Sequence, residues 1–459
     1  MARVDLVGLF FGFAGKLQVE RYLIALIDHI PVARNHPADV KAQHAGNVSQ
    51  VFLRTREECV GGVWLGRISP KNHNVGKHPR ESAGTARRVE SKATRQILDR
   101  RSVSYYTNRS ASQTPMPSST YRFCFGPWNF SEGADPYGPT TRPAQTADWK
   151  LNQLKALGFD AMMFHDDDAV PEIDSKSETA IREEAKELKR RLDGEGIAAE
   201  MVAPRLWFAP QTIDGAYTSN DPAARQYAID RSLRSIDLAN ILGTDVLVLW
   251  LAREGTYLRE AKVASRSYDY LIEAMDRMLA HDPKIRLAVE PKPNEPMDHA
   301  YLPTIGHVLA LAQLTRDPAR VGTVIESAHC ILAGLDPSDE IEFALRFKKL
   351  WSLHLNDQNG LKFDQDKPFG SANLRSAFNQ VQTLERHGYG SGGEYVCFDV
   401  HPFRTTKAEH WLDHLSNSRR TFLRLVEKAR SFDQAAADGM IAERNYQALD
   451  QLVIEHLLG

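Results

Sequence analysis

Residues 288 to 296 read AVEPKPNEP and set a carboxylate, Glu290, and an ammonium, Lys292, two positions apart among three prolines. Proline restricts φ, so neither side chain can drift far. A carboxylate held this way can bind a cation, and a fixed lysine can supply positive charge where an oxyanion develops. A purely structural turn is the alternative. Other polar groups stand at comparable places, each where a short apolar run stops. They are Trp128 after RFCF, His165 with Asp166, Asp167 and Asp168 after AMMF, and Trp250 with Arg253 and Glu254 after VLVL. Further on come Glu326 and His329 in ESAH, His354 in SLHLND, with Asp364 and Asp366 of KFDQD in the loop after it, and Asp399 in FDVH. Each alone has an ordinary explanation. A tryptophan there more often packs than binds substrate, an aspartate run commonly opens a helix, and a histidine is more often a hydrogen-bonded core residue than a ligand.

Together they imply a metal. If the apolar runs are strands ending at one face, Glu290, Glu326, His329, Asp364, Asp366 and Asp399 share a single mouth. Carboxylates crowded there repel and raise one another's pKa, and a divalent cation relieves that repulsion. Carboxylate oxygen with imidazole and no thiolate suits Mg²⁺, Mn²⁺ or Co²⁺ better than structural zinc. The set exceeds what one octahedral ion uses once water and substrate take their places. Two divalent ions per subunit, sharing a carboxylate, are expected.

The elements that must position these groups begin at Tyr121. The runs YRFCFGPW, FDAMMFHDDD, IAAEMVAPRLWF, TDVLVLWLAREG, IRLAVEPKP, VGTVIESAH, LWSLHLND and EYVCFDVHP alternate with stretches whose apolar residues recur every three or four positions, such as ETAIREEAKELKRRLDGEG. Eight strand-then-helix units over roughly 310 residues predict an α/β fold, the (β/α)8 TIM barrel, whose chemistry gathers at the C-terminal strand ends. An open doubly wound sheet is the alternative, though no GxGxxG follows the first run. The barrel is expected over residues 116–430 and a C-terminal helical tail over 431–459. In that tail Ile441, Leu449, Leu452, Val453 and Leu457 form an apolar stripe, for its own barrel or for a second subunit.

Residues 1–115 differ in character. They hold 18 Lys and Arg against 9 Asp and Glu, whereas the rest hold 39 against 50. Rich in Ser, Asn, Arg, His and Gly, they are expected to form a basic N-terminal extension of low order, in which no aromatic-and-basic nucleic-acid motif occurs. The apolar LVGLFFGFAG has the length of a leader core, but Asp5 flanks it and no cleavage pattern follows. No apolar run of about 18 residues or more exists, so a membrane is not an expected partner; nor is a nucleic acid, given the missing motif and the net negative charge of residues 116–459. Cys59, Cys124, Cys330 and Cys397 form no CxxC pair, which argues against a zinc ribbon or disulfide scaffold and fits the cytoplasm.

The motifs FHDDD, LWLAREG, VEPKPNEP, ESAHxxLAG, LNDQNGLKFDQD and FDVHPFR, in this order, resemble the xylose isomerases, most closely the shorter actinobacterial-type class. The resemblance spans Tyr121 to the C-terminus. It implies ring opening of a sugar and a metal-assisted C2-to-C1 hydride shift, converting D-xylose to D-xylulose. It implies that His165, backed by Asp168, assists ring opening and that Lys292 bonds the oxygen at C1. Glu290, Glu326, His354 and Asp399 would hold one ion. His329, Asp364 and Asp366, with Glu326 as the bridge, would hold a second. Trp128, Trp250 and Trp207 would wall the substrate, and Tyr137 would reach a neighbouring subunit of a homo-oligomer, a tetramer or dimer.

Four positions depart from the pattern of that family. His354 stands where an aspartate ligand is usual, Arg205 and Trp207 where asparagine and phenylalanine are usual, and His401 where a lysine is usual. Nitrogen at His354 favours Mn²⁺ or Co²⁺ over Mg²⁺, and the altered pocket opens the choice of sugar. Three rivals follow: an isomerase or epimerase of a different sugar on the same two-metal barrel, a DNA-repair endonuclease, and a non-catalytic sugar-binding relative.

Overall fold

A computed structural model of the 459-residue chain describes residues 121–135 and 137–459. The expected basic extension over 1–115 lies outside the described residues. Eight strands form a closed barrel: β1 Arg122–Phe125, β2 Ala161–His165, β3 Ala198–Ala203, β4 Val246–Trp250, β5 Arg286–Glu290, β6 Val321–Glu326, β7 Leu350–Leu355 and β8 Tyr395–Phe398. All eight pairings are parallel, and β8 closes on β1 through Arg122↔Tyr395 to Phe125↔Phe398. The open doubly wound sheet is thereby excluded.

The near-continuous apolar strands follow from burial on both faces. Inward-facing Cys124, Ala161, Met163, Val248, Ala288, Val324 and Cys397 fill the interior. Outward-facing Phe123, Phe125, Phe164, Leu247, Leu249, Val289, Leu353 and Phe398 pack against the surrounding helices. Those helices are α1 Ala147–Ala156, α2 Glu178–Glu195, α3 Pro222–Leu242, α4 Ala264–His281, α5 Ile305–Ala312, α6 Pro337–Arg346, α7 Leu374–His387 and α8 Asp413–Ser431. In α2, Ile181, Ala185, Leu188 and Leu192 form the buried stripe; Ser177 caps the start, and Gly196 ends the helix at φ 69°. That left-handed geometry favours glycine. Asp221 caps α3, with Pro222 at its first position.

The tail departs from a continuous stripe. It breaks into α9 Gln434–Ala442 and α10 Tyr446–Leu458, with Arg444 at φ 58° between them. Ile441 is left exposed, while Val453 and Leu457 pack on the core of their own barrel. Among the described residues no helix is long and apolar enough to cross a membrane.

Candidate active site

Strand register sets the level of the site. Trp250 lies opposite Glu290 on β4 and β5, and Glu326 opposite His354 on β6 and β7. Asp399 follows the last residue of β8, and the loop after β7 brings Asp364 and Asp366 back over the mouth. His329 comes from the short helix Ser327–Leu332, which starts as soon as β6 ends.

These side chains converge. His329 places Nδ1 3.4 Å from Glu290 Oε1, and Nε2 3.3 Å from Glu326 Oε1 and 3.0 Å from Asp364 Oδ2. His354 Nδ1 is 3.4 Å from Glu290 Oε2. Four overlapping groups gather ligand atoms within 4.8 Å of one another: Glu290–Glu326–His329, Glu326–His354–Asp399, Asp366–Asp399–His401 and Glu326–Asp364–Asp366. Glu326 belongs to three of them, which suits a bridging carboxylate.

The electrostatics favour a cation. Burial raises the Glu326 carboxyl, and Asp364, Glu290, Asp366 and Asp399 push it further, well above the usual range. Burial and then Asp366 bring Asp399 up to about 7. Burial acts on Glu290 in the same sense, but the imidazoles of His354 and His329 outweigh it and hold the group at about 2. His329 Nδ1, both ring nitrogens of His354 and Asp364 Oδ1 are buried with no hydrogen-bond partner. Buried polar atoms ordinarily have partners. Lone pairs and negative charge turned inward this way fit divalent ions.

Lys292 is buried at the edge of the cluster, its Nζ 2.8 Å from Asp364 Oδ2 and 3.5 Å from Glu295 Oε2, and 5.3 Å from the Trp250 ring. Burial would lower its pKa, yet Asp364 and then Glu295 raise it above the ordinary lysine range, so the charge is retained. Glu295 also accepts from the Asp364 amide at 3.0 Å, which ties the two ends of this corner together.

Across the mouth, His165 ends β2 with Nδ1 2.8 Å from Asp168 Oδ2. Arg205 Nη2 is 2.9 Å from the same oxygen and 2.7 Å from that ring nitrogen. Burial would raise Asp168, but His165 and Arg205 hold it at about 2. The rings of Trp128 and Trp207 lie 4.3 Å and 5.1 Å from that of His165, and Trp207 meets Trp250 edge-on at 4.4 Å. Trp128 Nε1 donates to Asp399 Oδ1 at 2.8 Å, linking the aromatic wall to the acidic cluster.

One family model, a xylose isomerase-like TIM barrel, matches residues 151–415 of this chain. The chain belongs to that family. It is 36% identical over 322 residues to the xylose isomerase of Thermus thermophilus, covering 69% of this chain and 82% of that one. Among solved structures, a zinc-bound IOLI protein is 15% identical with a TM-score of 0.49, covering 68% of this chain and 99% of its own. A D-tagatose 3-epimerase-like protein is 14% identical with a TM-score of 0.49, covering 68% of this chain and 100% of its own.

Within this family barrel, Trp128, His165, Asp168, Trp207, Trp250, Glu290, Lys292, Glu326, His329, His354, Asp364, Asp366 and Asp399 all stand at the C-terminal strand ends and the loops that follow them. Tyr137 also lies on the loop after β1, but it is 91% exposed and outside the candidate ligand groups. Glu254 is also elsewhere in role. Buried behind the wall, it accepts from the amides of Ala216, Tyr217 and Thr218 at 2.8 to 3.0 Å and fastens the loop after β3.

Two residues join the site that motif reading did not place in it. Asn356 donates from Nδ2 to Glu326 Oε1 at 2.8 Å and Asp366 Oδ1 at 3.0 Å, while its Oδ1 accepts from the Ala328 amide at 2.7 Å. Two-residue alternation from His354 was the available signal. His401, noted before only as a departure, holds Nδ1 2.9 Å from Asp366 Oδ2. Burial opposes its protonation, but Asp366 and Asp399 bring it up to about 9.

Proposed function

We propose that this protein is a metal-dependent aldose–ketose isomerase acting on D-xylose and D-xylulose. The observation that carries the reading is the convergence of five carboxylates and three imidazoles at one barrel mouth, with buried unpartnered nitrogens and oxygen turned into it. Glu290, Glu326, His354 and Asp399 would hold one divalent ion, and Glu326, His329, Asp364 and Asp366 a second, with Mn²⁺ or Co²⁺ preferred to Mg²⁺ because of the imidazole nitrogens. Bound ions supply Lewis acidity toward the sugar's carbonyl and hydroxyl oxygens.

The chain's own residues account for the remaining steps. Asp168 holds His165 by Nδ1, which leaves Nε2 for the ring oxygen of a cyclic sugar, where a proton must move as the ring opens. Lys292 keeps its charge beside Asp364 and can bond the oxygen at C1 as negative charge develops there. Trp128, Trp207 and Trp250 exclude water from the stretch between C1 and C2, which discourages proton exchange with solvent. The family match and the 36% identity to a xylose isomerase support this assignment. We also infer a homo-oligomer. Tyr137, Phe208, Tyr257, Leu361, Phe363 and Phe403 are exposed in the loops that follow the strands, and such a rim suits contact with a second copy.

Chelator-stripped full-length protein, assayed for D-xylulose after Mg²⁺, Mn²⁺ or Co²⁺ is restored separately, tests the reading. Turnover should return with the ion and be greatest with Mn²⁺ or Co²⁺. Tight ion binding without xylose turnover would reject xylose as the substrate, and a panel of aldoses and ketoses would then separate isomerisation from epimerisation of another sugar.

A further inference from the structure

The end of β2 holds one more donor than a histidine and its aspartate need. Arg205, on the loop after β3, is fastened by its backbone: its amide donates to Asp166 Oδ1 at 3.1 Å, and Asp166 is itself gripped by Arg231. The Arg205 side chain is 19% exposed, with Nε 2.8 Å from Asp167 Oδ1. The rings of Trp207 and Phe208 flank its guanidinium carbon at 5.9 and 5.7 Å. So held, Nη2 comes to 2.7 Å from His165 Nδ1 and 2.9 Å from Asp168 Oδ2, and those two atoms are 2.8 Å apart.

Three polar atoms this close compete for hydrogens. A guanidinium nitrogen only donates. Asp168 is a carboxylate at neutral pH and only accepts. The outcome turns on Nδ1. If Nδ1 carries a hydrogen it donates to Asp168, but Nη2–H and Nδ1–H then face each other with no acceptor between them. If Nδ1 is bare, the two hydrogens of Nη2 go to Nδ1 and Oδ2, and Oδ2 keeps the His165 amide at 3.3 Å as well. Repulsion between the Nδ1 lone pair and Oδ2 opposes this second arrangement, and the guanidinium charge lying against both atoms offsets it. Only here does every hydrogen of the triangle find an acceptor.

We propose that Arg205 is a positioning residue for ring opening: it holds Nδ1 of neutral His165 as an acceptor, so that the imidazole offers a hydrogen, in place of a lone pair, from Nε2 to the ring oxygen of the sugar. Trp128 and Trp207, 4.3 and 5.1 Å from the imidazole, keep that ring from turning. The inference rests on the isomerase reading above and deepens it. As the sugar opens, the bond from C1 to the ring oxygen breaks and its electron pair goes to that oxygen. O1 gives up its proton as the carbonyl forms, and the ring oxygen takes one up, so the step balances within the sugar. His165 keeps its own proton and supplies the hydrogen bond under which negative charge gathers on the ring oxygen.

Full-length protein carrying ¹⁵N-histidine tests this by NMR at mildly alkaline pH, with imidazole neutral; the His165 signals are those lost in His165→Gln. The nitrogen shifts show which ring atom bears the hydrogen. In the wild type Nδ1 should be bare, and in Arg205→Met the hydrogen should move to Nδ1, beside Asp168. A wild-type His165 with its hydrogen on Nδ1 would overturn the inference before any variant is made. With Mn²⁺ restored, Arg205→Met should lower kcat on D-xylose about 10²-fold and act far less on glyceraldehyde, which is too short to close a sugar ring. Equal losses on the two sugars, or a tautomer unchanged in Arg205→Met, would make Arg205 a prop of the loop and overturn the inference. A wild type inactive on both sugars would overturn the isomerase reading, and the ring-opening role with it, whichever nitrogen carries the hydrogen.

Discussion

At the end of β2, Asp166, Asp167 and Asp168 meet Arg231 and Arg205, whereas across the mouth Glu290, Glu326, Asp364, Asp366 and Asp399 meet chiefly one another, three imidazoles and Lys292. Asp166 is fully buried and bonds Arg231 of α3 at 2.7 and 2.9 Å. Asp167 lies 2.8 Å from Arg205 Nε, and Asp168 is shared by Arg205 and His165. Guanidinium groups thus neutralise the first cluster. The second has a single lysine for five carboxylates, and burial with mutual repulsion lifts Glu326 and Asp399. A run of acids therefore does not itself mark an ion site; what distinguishes one is negative charge that the chain's own cations do not balance.

Breaking the balanced side should have the largest effect on stability. Arg231→Met strands Asp166 in the interior and should cost about 3–5 kcal/mol in chemical denaturation. Adding Asp166→Leu should recover much of that loss. Lys292→Ala should lower kcat about 10²- to 10³-fold, or about 3–4 kcal/mol of barrier, with little change in ion binding by calorimetry.

A smaller effect sharpens the electrostatic contrast. Asp168 titrates near 2 in the fold, below an unfolded aspartate at about 3.9. Its contribution, about 2 kcal/mol, is therefore present above pH ~4 and lost as pH falls toward 2. The stability difference between wild type and Asp168→Asn should close across that window. The smallest effect has the opposite sign. Glu326→Gln in the ion-free protein removes repulsion and should raise stability by about 1 kcal/mol. It should also abolish the stabilisation that saturating Mn²⁺ gives the wild type, which reaches about 2.7 kcal/mol at 100 times Kd. A Glu326→Gln protein that melts lower without ions would remove the distinction between the clusters.

The barrel was legible in the chain because burial on both faces makes its strands nearly continuous apolar runs, and because polar side chains appear where those runs reach solvent. Glu290 and Lys292 were legible for the same reason, with prolines flanking them. The tail was less so. Ile441 and Val453 share a helical period on paper, but the chain turns at Arg444, and period alone does not show where a helix stops. Asn356 escaped notice because an asparagine beside an aspartate, in LND, reads as a turn. It takes its role from two carboxylates, one thirty residues earlier and one ten residues later.

Order and alternation of residues by themselves determined the class of fold, the edge of the barrel where charge would gather, and the ligand types available there, because these depend on local periodicity and on the chemistry of single side chains. Pairings across the barrel were decided only by the tertiary structure. Cys124 and Cys397 stand side by side through the closure of β8 on β1, and Asp166 is balanced by Arg231 from a helix 65 positions away. Strand register and barrel closure bring distant residues within reach of one another, and electrostatic balance is a property of distance in space that spacing along the chain does not contain.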